Sequence, residues 1–213
     1  MTGFEPLSRA SCFAVGTTFV CSQHVLFPWL FPAYYAADKY PFVHLLTERD
    51  VRVVVGDSWQ LNGLRRCHPT RDVCIVHSTA DDIRQCKSPQ LELDPRPLAE
   101  GEPLTFHGHN ISTSVTLDEE PPMEARVVSG VFIGASSAGQ CFAHTASELV
   151  IGMCGGPVLD GAGKCVGVVE GVVPRPLPKQ RGPTRSQQTS RAVDLLRGAA
   201  VFIPASDVAQ LLE

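Results

Sequence analysis

The sequence predicts an all-β protein, large enough for two small β-barrels that share an interface, followed by a short helix. Eighteen glycines and seventeen prolines among 213 residues favour a chain rich in turns. Hydrophobic residues make up 44% of the chain, which suffices for the cores of two barrels or of one medium-sized domain. Helical periodicity is weak, whereas short alternations of apolar and polar residues are typical of strands. These alternations lie at residues 41–46, 50–55, 102–107, 111–117, 125–133 and 164–173.

The first half of the chain contains two further predicted strands next to polar residues. Gly16–Cys21 is a run of β-branched and aromatic residues after a glycine, and a short turn then places His24 at the end of this strand. Asp72 opens a second apolar strand, Val73–Val76. The aromatic residues 27–35 predict a helical turn packed on the first barrel. The alternative for this segment is an exposed patch that binds a partner or a membrane surface.

The boundary between the two barrels is predicted at the proline-containing stretch Pro89–Pro97. This gives a first barrel at residues 1–92 and a second barrel, with the helix, at residues 93–213. The helix is predicted at Ser206–Glu213 because a serine and an aspartate, both good N-cap residues, precede an apolar stretch.

The most informative motif is Gly-Met-Cys-Gly-Gly-Pro at Gly152–Pro157. Glycines on both sides of Cys154 let the backbone turn tightly, so that the N–H groups of Cys154 and Gly152 can converge on one point. That geometry is an oxyanion hole, which stabilises the transition state of acyl transfer. The alternative is a glycine-rich turn that contains a structural cysteine.

A nucleophilic cysteine needs a base, and the base needs an orienting group. His24 and Asp72 precede Cys154 in the order that chymotrypsin uses for its triad. His24 is expected either to hold Cys154 as a thiolate or to deprotonate it during attack, and the product is a thioester. Asp72 is expected to hydrogen-bond the other ring nitrogen of His24. The alternative is that His24 and Asp72 are ordinary polar residues.

The sequence resembles the trypsin-like proteases of the HtrA or Deg type over nearly its whole length. The resemblance implies two six-stranded antiparallel β-barrels of the trypsin-like fold and a short C-terminal helix. It also implies a catalytic triad of His24, Asp72 and Cys154 and an oxyanion hole formed by Gly152 and Cys154. Besides the motif around Cys154, the matching segments are Phe19–Leu26, His68–Val76, Leu98–Leu104, Val127–Val131, Thr145 and Ala200–Ala205.

Three residues depart from the pattern of that family. Cysteine replaces serine at 154, Met153 stands where a small polar residue is usual, and His68 replaces an aspartate. The cysteine is similar to that of the chymotrypsin-like cysteine proteases of positive-strand RNA viruses, which match less of the flanking sequence. The implied function is a cysteine endopeptidase that acts on proteins or peptides. The alternative is a catalytically silent scaffold that binds a peptide or protein partner, because this fold can lose activity while it keeps its barrels.

The resemblance also implies which residues bind the substrate. Glu148 lies six residues before Cys154, where the floor of the primary specificity pocket is expected, and a buried carboxylate there selects arginine or lysine. Val169 and Glu170 lie on the strand Val166–Val173, which is expected to form the pocket wall. The alternative is that Glu148 and Glu170 are solvated surface acids.

Charge and composition exclude several classes of partner. A net charge of −4 predicts no general affinity for nucleic acid, and no apolar run reaches the roughly 18 residues of a membrane span.

The first fourteen residues lack the pattern of a signal peptide, and the eight cysteines show no disulfide framework. We therefore expect a reducing compartment, such as the cytoplasm. Residues 174–191 carry five basic residues and no acid, which predicts a mobile loop. The resemblance implies that this loop lies next to the specificity pocket, and the alternative is a solvated insertion.

Zinc is the competing chemistry. Cys67, His68, Cys74 and His77 lie close in sequence, but the spacing of the two cysteines is wider than in structural zinc sites. His107 and His109 would share one face of a strand, where histidines are more often surface residues than ligands. We therefore expect no metal and no cofactor.

Overall fold

The computed structural model describes residues 7–35, 40–56, 59–60, 63–111, 123–150, 152–174 and 196–213. The strands of this part of the chain are β1 (Cys12–Val15), β2 (Thr18–Cys21), β3 (Val54–Val55), β4 (Trp59–Gln60), β5 (Arg65–Cys67), β6 (Cys74–His77), β7 (Pro103–Ile111), β8 (Met123–Ala135), β9 (Cys141–Thr145), β10 (Pro157–Leu159), β11 (Cys165–Val172) and β12 (Ala200–Pro204). The helices are α1 (Gln23–Leu26), α2 (Ala80–Gln85) and α3 (Ala205–Leu212), and single 3₁₀ turns lie at Pro28–Leu30, Pro32–Tyr34 and Val43–Leu45.

The second half of the chain forms a closed barrel of six antiparallel strands in the order β10-β11-β12-β9-β8-β7. Its interior contains Phe106, Phe132 and Phe202, whose rings meet edge to face. β11 passes so close to one of these rings that a Cβ at Gly167 would lie 2.5 Å from Phe202. The predicted C-terminal barrel is therefore confirmed.

The second closed barrel that we expected is not seen in the described residues of the first half. In the described residues, β1, β2, β6 and β5 form an open four-stranded sheet in the order β1-β2-β6-β5, and β3 pairs only with β4. The strand predicted at 41–46 is a 3₁₀ turn instead. Val43 is buried and Leu46 is half-buried, and this spacing of three residues suits a helical turn as well as it suits an irregular strand. The stretch 50–55 contributes only β3.

The open sheet buries both of its faces. One face carries Phe13, Val20 and Ile75 and packs against Val168 and Ile203 of the barrel. Because this core is continuous between the sheet and the barrel, the two halves are held together by apolar burial. The division at residues 92 and 93 stays a prediction.

The predicted terminal helix is confirmed as α3, which begins one residue earlier than expected. Pro204 is its N-cap and makes no side-chain cap hydrogen bond, so neither Ser206 nor Asp207 has the expected capping role. Val208 and Leu211 of α3 are buried in the core between sheet and barrel. The helix is therefore placed where it can also contact the loop before β6.

In the part of the chain that the structure describes, none of the helices is long and apolar enough to cross a bilayer. The predicted strand at 111–117 and the basic segment 174–191 lie almost entirely outside the described residues.

Candidate active site

His24 and Asp72 form a buried pair at the edge of the sheet where β2 ends and β6 begins. β2 ends at Cys21, and the chain turns directly into α1, which carries His24. Asp72 Oδ1 accepts a hydrogen bond from the backbone N–H of His24 at 2.8 Å, and Asp72 Oδ2 lies 2.6 Å from His24 Nδ1. Both residues are at most 7% exposed. The carboxylate therefore fixes the backbone and the ring of His24 together and leaves Nε2 as the nitrogen available for chemistry.

Asp72 lies on the hairpin loop between β5 and β6, and the residue before it secures this loop. The Arg71 guanidinium pairs with Asp207 of α3 at 3.1 Å and donates to the carbonyl of Ala138 in the barrel. From β5, the strand before this loop, Arg66 donates to the Leu211 carbonyl of α3 at 2.9 Å. The hairpin loop is thus held by the helix and by the barrel.

Aromatic side chains surround the other sides of His24. The Tyr34 ring stacks on the imidazole with a centroid distance of 4.6 Å, and Phe31 meets the imidazole edge to face at 6.4 Å. The Tyr35 hydroxyl donates to the His24 carbonyl at 2.8 Å. Tyr35 is buried, as core packing predicts, whereas Tyr34 is 57% exposed. Tyr34 therefore lies at the surface, where it shields one face of the imidazole, and is not a core residue.

The turn that carries Cys154 is pressed against the end of β2. Gly152 and Gly155 have φ angles of 103° and 81°, which favour glycine. A Cβ at Gly155 would lie 2.4 Å from the Ser11 carbonyl oxygen and 2.9 Å from the Ser22 nitrogen. Because Ser22 directly precedes α1, this close approach brings Cys154 to the same edge of the sheet as His24.

Ser11, which the sequence analysis missed, secures this turn. Its backbone N–H donates to the Cys154 carbonyl at 2.9 Å, and its hydroxyl donates to the Gly152 carbonyl at 2.7 Å. The same hydroxyl accepts from the backbone N–H of His109 at 2.8 Å. Two carbonyls of the turn therefore point towards one buried serine. No sequence motif marks Ser11, because its partners are about a hundred or more residues away.

The Cys154 thiol is protonated at neutral pH. Burial, followed by the charge of Asp72 and more weakly that of Glu170, raises the pKa of Cys154 to about 11. The thiol donates to the backbone carbonyl of Glu170 on β11 at 3.4 Å. The raised pKa thus favours a neutral Cys154 thiol over the resting thiolate that the sequence left as the other alternative.

Two of the expected substrate-binding residues, Glu148 and Glu170, differ in exposure. Glu148 is exposed rather than buried, and it lines a pocket of about 190 Å³ together with Leu149, Val172, Val173 and Gly198. Glu170 is half-buried and accepts two hydrogen bonds from the Gln140 side-chain amide, at 3.0 and 3.1 Å. Burial raises the pKa of the Glu170 carboxyl group, although the bond from Gln140 opposes this rise.

Val169 is placed behind the turn. Its side chain is 1% exposed and packs in the barrel core. Its N–H donates to the Gly156 carbonyl at 2.8 Å, and its carbonyl accepts from the N–H of Gly155 at 2.9 Å. Both backbone groups of Val169 are therefore engaged by the glycines that follow Cys154.

Neither candidate zinc cluster assembles. Among the described residues, no group of three or more His, Cys, Asp or Glu side chains is arranged to hold a metal ion. His107 Nε2 instead lies 3.0 Å from the Thr105 hydroxyl.

The sequence matches no protein-family model and no curated protein. Among solved structures, the chain is similar to the Rv3671c protease from M. tuberculosis. The active form gives a TM-score of 0.54 at 16% identity over 95% of this chain and 71% of that chain. The inactive form gives 0.55 at 15% identity over 97% and 83%. The serine endoprotease from Yersinia pestis gives a TM-score of 0.57 at 10% identity, over 100% of this chain and 58% of that one. This chain therefore has the fold of these proteases.

Proposed function

We propose that the protein is a trypsin-like cysteine endopeptidase in which Cys154, His24 and Asp72 form the catalytic triad. The observation that carries the proposal is the buried His24–Asp72 pair, whose two short hydrogen bonds leave Nε2 available on the side of the imidazole away from the carboxylate. A histidine positioned in this way acts as a general base for a nearby nucleophile. The turn of Cys154 packs against the same end of β2.

In the proposed reaction, His24 Nε2 takes the thiol proton as Cys154 Sγ attacks the substrate carbonyl carbon. The resulting imidazolium is stabilised by Asp72 and then protonates the leaving amine, which yields a thioester and the first product. Water, deprotonated by His24, hydrolyses the thioester and restores the thiol. Because the Cys154 pKa is raised, the base is needed during the attack itself.

The N–H groups of Gly152 and Cys154 form the oxyanion hole in this proposal. The Met153 carbonyl supports the role of Cys154, because it accepts from the Gly156 N–H at 3.0 Å. The Cys154 N–H lies on the opposite side of the same trans peptide group and therefore points away from this bond. One oxyanion donor contributes on the order of 10²–10³ in rate.

The pocket lined by Glu148 is the proposed specificity pocket. A carboxylate at an open pocket of this size suits the long basic side chain of arginine or lysine. We propose that Glu170 and the residues after it form one wall. Val169 supports the turn from behind in this proposal, because its side chain is in the core.

The experiment uses peptides and a covalent probe. Purified reduced protein is incubated with a peptide library, and cleavage products are identified by mass spectrometry. We expect cuts after arginine or lysine, lost in Cys154→Ala and in His24→Ala. A peptidyl chloromethyl ketone that ends in arginine should label Cys154 more than one that ends in leucine. The matched control is Cys86→Ser, which removes another half-buried thiol and should leave both results unchanged.

A silent peptide-binding scaffold is the second candidate, and one observation favours it. The Cys154 thiol donates a hydrogen bond to the Glu170 carbonyl and has a raised pKa, as an unreactive buried cysteine does. In that case, calorimetry should detect binding of library peptides, with no cleavage and with no effect of Cys154→Ala. We also propose that the protein works in a reducing compartment, because a nucleophilic Cys154 must stay a thiol and all eight cysteines are free.

A further inference from the structure

Four cysteines form one row across the open sheet. Cys12 on β1 is opposite Cys21 on β2, Cys21 is opposite Cys74 on β6, and Cys74 is opposite Cys67 on β5. Residues directly opposite each other in antiparallel strands point to the same face. The four side chains accordingly belong to one apolar cluster beneath α1 and α2.

Within this row, Cys67 and Cys74 have the geometry for a covalent bond. The backbone N–H of His68 donates to the Val73 carbonyl, so Cys67 and Cys74 form a non-hydrogen-bonded pair. In such pairs the Cα atoms are about 4.5 Å apart, within the range that a disulfide spans. The two sulfur atoms already lie 3.0 Å apart.

Cys21 is a poorer partner for Cys74. The N–H of Gln23 donates to the Asp72 carbonyl at 3.4 Å, which makes Cys21 and Cys74 a hydrogen-bonded pair with a wider separation of side chains. The Cys21 thiol instead contacts the Cys74 backbone carbonyl at 3.7 Å.

The positions of the two thiols also suit stepwise oxidation. Cys67 is partly exposed, so a small oxidant can reach it, whereas Cys74 is fully buried directly behind it. The hydrogen bond with Cys74 lowers the pKa of Cys67 and thereby favours Cys67 as the attacking thiolate. Cys74 is then the resolving thiol.

We propose that Cys67 and Cys74 are a reversible disulfide site that closes the hairpin loop carrying Asp72. The oxidant is a low-molecular-weight disulfide, RSSR. The Cys67 thiolate attacks one sulfur of RSSR, the S–S bond breaks, and a mixed disulfide and RSH result. Cys74 then loses its proton and attacks the Cys67 sulfur, which releases a second RSH. The protein loses two electrons, and RSSR gains them.

This bond would stiffen the loop that orients His24. Asp72 lies between the two cysteines in sequence, so the disulfide would enclose it in a short covalent ring. Such a ring limits opening of the hairpin, the motion that would separate the Asp72 carboxylate from His24. The site is a modification site in its own right and does not depend on the proposed peptidase activity.

The test maps the bond directly. The protein is equilibrated in glutathione buffers of increasing oxidised fraction, free thiols are blocked in acid, and the protein is digested with trypsin. Cleavage after Arg66, Arg71 and Arg84 gives peptides 67–71 and 72–84, each with a single cysteine. We expect these two peptides to be linked in oxidising buffer and separated after reduction.

Two variants and one further measurement complete the test. Cys67→Ser should abolish the linked pair, and Cys86→Ser, which removes a neighbouring thiol of the same cluster, should preserve it. In the oxidised form, hydrogen exchange of peptide 72–84 should slow by at least tenfold. Absence of the linked pair in folded protein would overturn the proposal, as would a linked pair without any change in exchange. Neither readout uses peptide cleavage, so failure here is distinct from failure of the proposed function.

Discussion

Substitution of Ser11 by alanine tests whether this buried serine holds the turn of Cys154. The hydroxyl donates to the Gly152 carbonyl at 2.7 Å and accepts from the His109 N–H at 2.8 Å. Ser11→Ala leaves both backbone groups without this partner. An unsatisfied buried polar group costs about 1–3 kcal/mol, and the His109 group is only partly buried, so we expect a loss of about 2–4 kcal/mol in the free energy of unfolding. For a chain of this length, that corresponds to a fall in Tm of roughly 5–15 °C.

The assay is urea unfolding followed by circular dichroism, with Ser137→Ala as the control. Ser137 is exposed in the turn between β8 and β9, and its substitution should change stability by less than about 0.5 kcal/mol. If Ser11→Ala stays within that same limit, the hydroxyl does not hold the turn. In active protein, we also expect Ser11→Ala to reduce kcat more than it changes KM, because the oxyanion donors are used in the transition state.

Three further predictions concern the site itself. Alkylation of Cys154 by iodoacetamide at pH 8 should be about 100-fold slower than that of a thiol with the usual pKa of 9.0. The alkylation rate should rise with pH up to about 11. A rate independent of pH between 6 and 9 would indicate a resting thiolate instead. Asp72→Asn should lower kcat by about 10²–10⁴, because His24 loses the partner that sets its tautomer. The control is Asp81→Asn, at an exposed aspartate. Equal activities of these two variants would contradict the triad. Burial raises the pKa of Glu170 in the folded state, so ionisation of this carboxyl group opposes folding as the pH rises through that pKa. Glu170→Gln should therefore increase the free energy of unfolding more at pH 7 than at pH 4. A larger increase at pH 4 than at pH 7 would show that the carboxylate is stabilised by its surroundings.

The sequence was sufficient to predict the barrel, the terminal helix and the pairing of His24 with Asp72. These features depend on local alternation of apolar residues or on short motifs that retain their spacing. The prediction of a strand at 41–46 was wrong because apolar residues three positions apart serve a helical turn equally well. A closed first barrel was inferred from resemblance, but among the described residues β3 and β4 pair only with each other and do not close the four-stranded sheet.

Other features of the site depend on contacts that no local pattern records. Ser11 is opposite the Cys154 turn only because β1 lies beside the barrel. The raised pKa of Cys154 results from burial and from two acids, Asp72 on the loop between β5 and β6 and Glu170 on β11. The exposure of Glu148 depends on how the chain leaves β9, which spacing alone does not determine.

The contacts of Ser11 and Arg71 have a consequence for the order of folding. Ser11 and Gly152 are 141 residues apart in sequence, and Arg71 and Asp207 are 136 apart. Contacts with such long separations form late, because the chain must first lose the entropy of large loops. A partly folded molecule therefore contains the residues of the site without their arrangement. If the protein cuts peptides, this delay keeps it from attacking neighbouring unfolded chains, including copies of itself, until its own fold is complete.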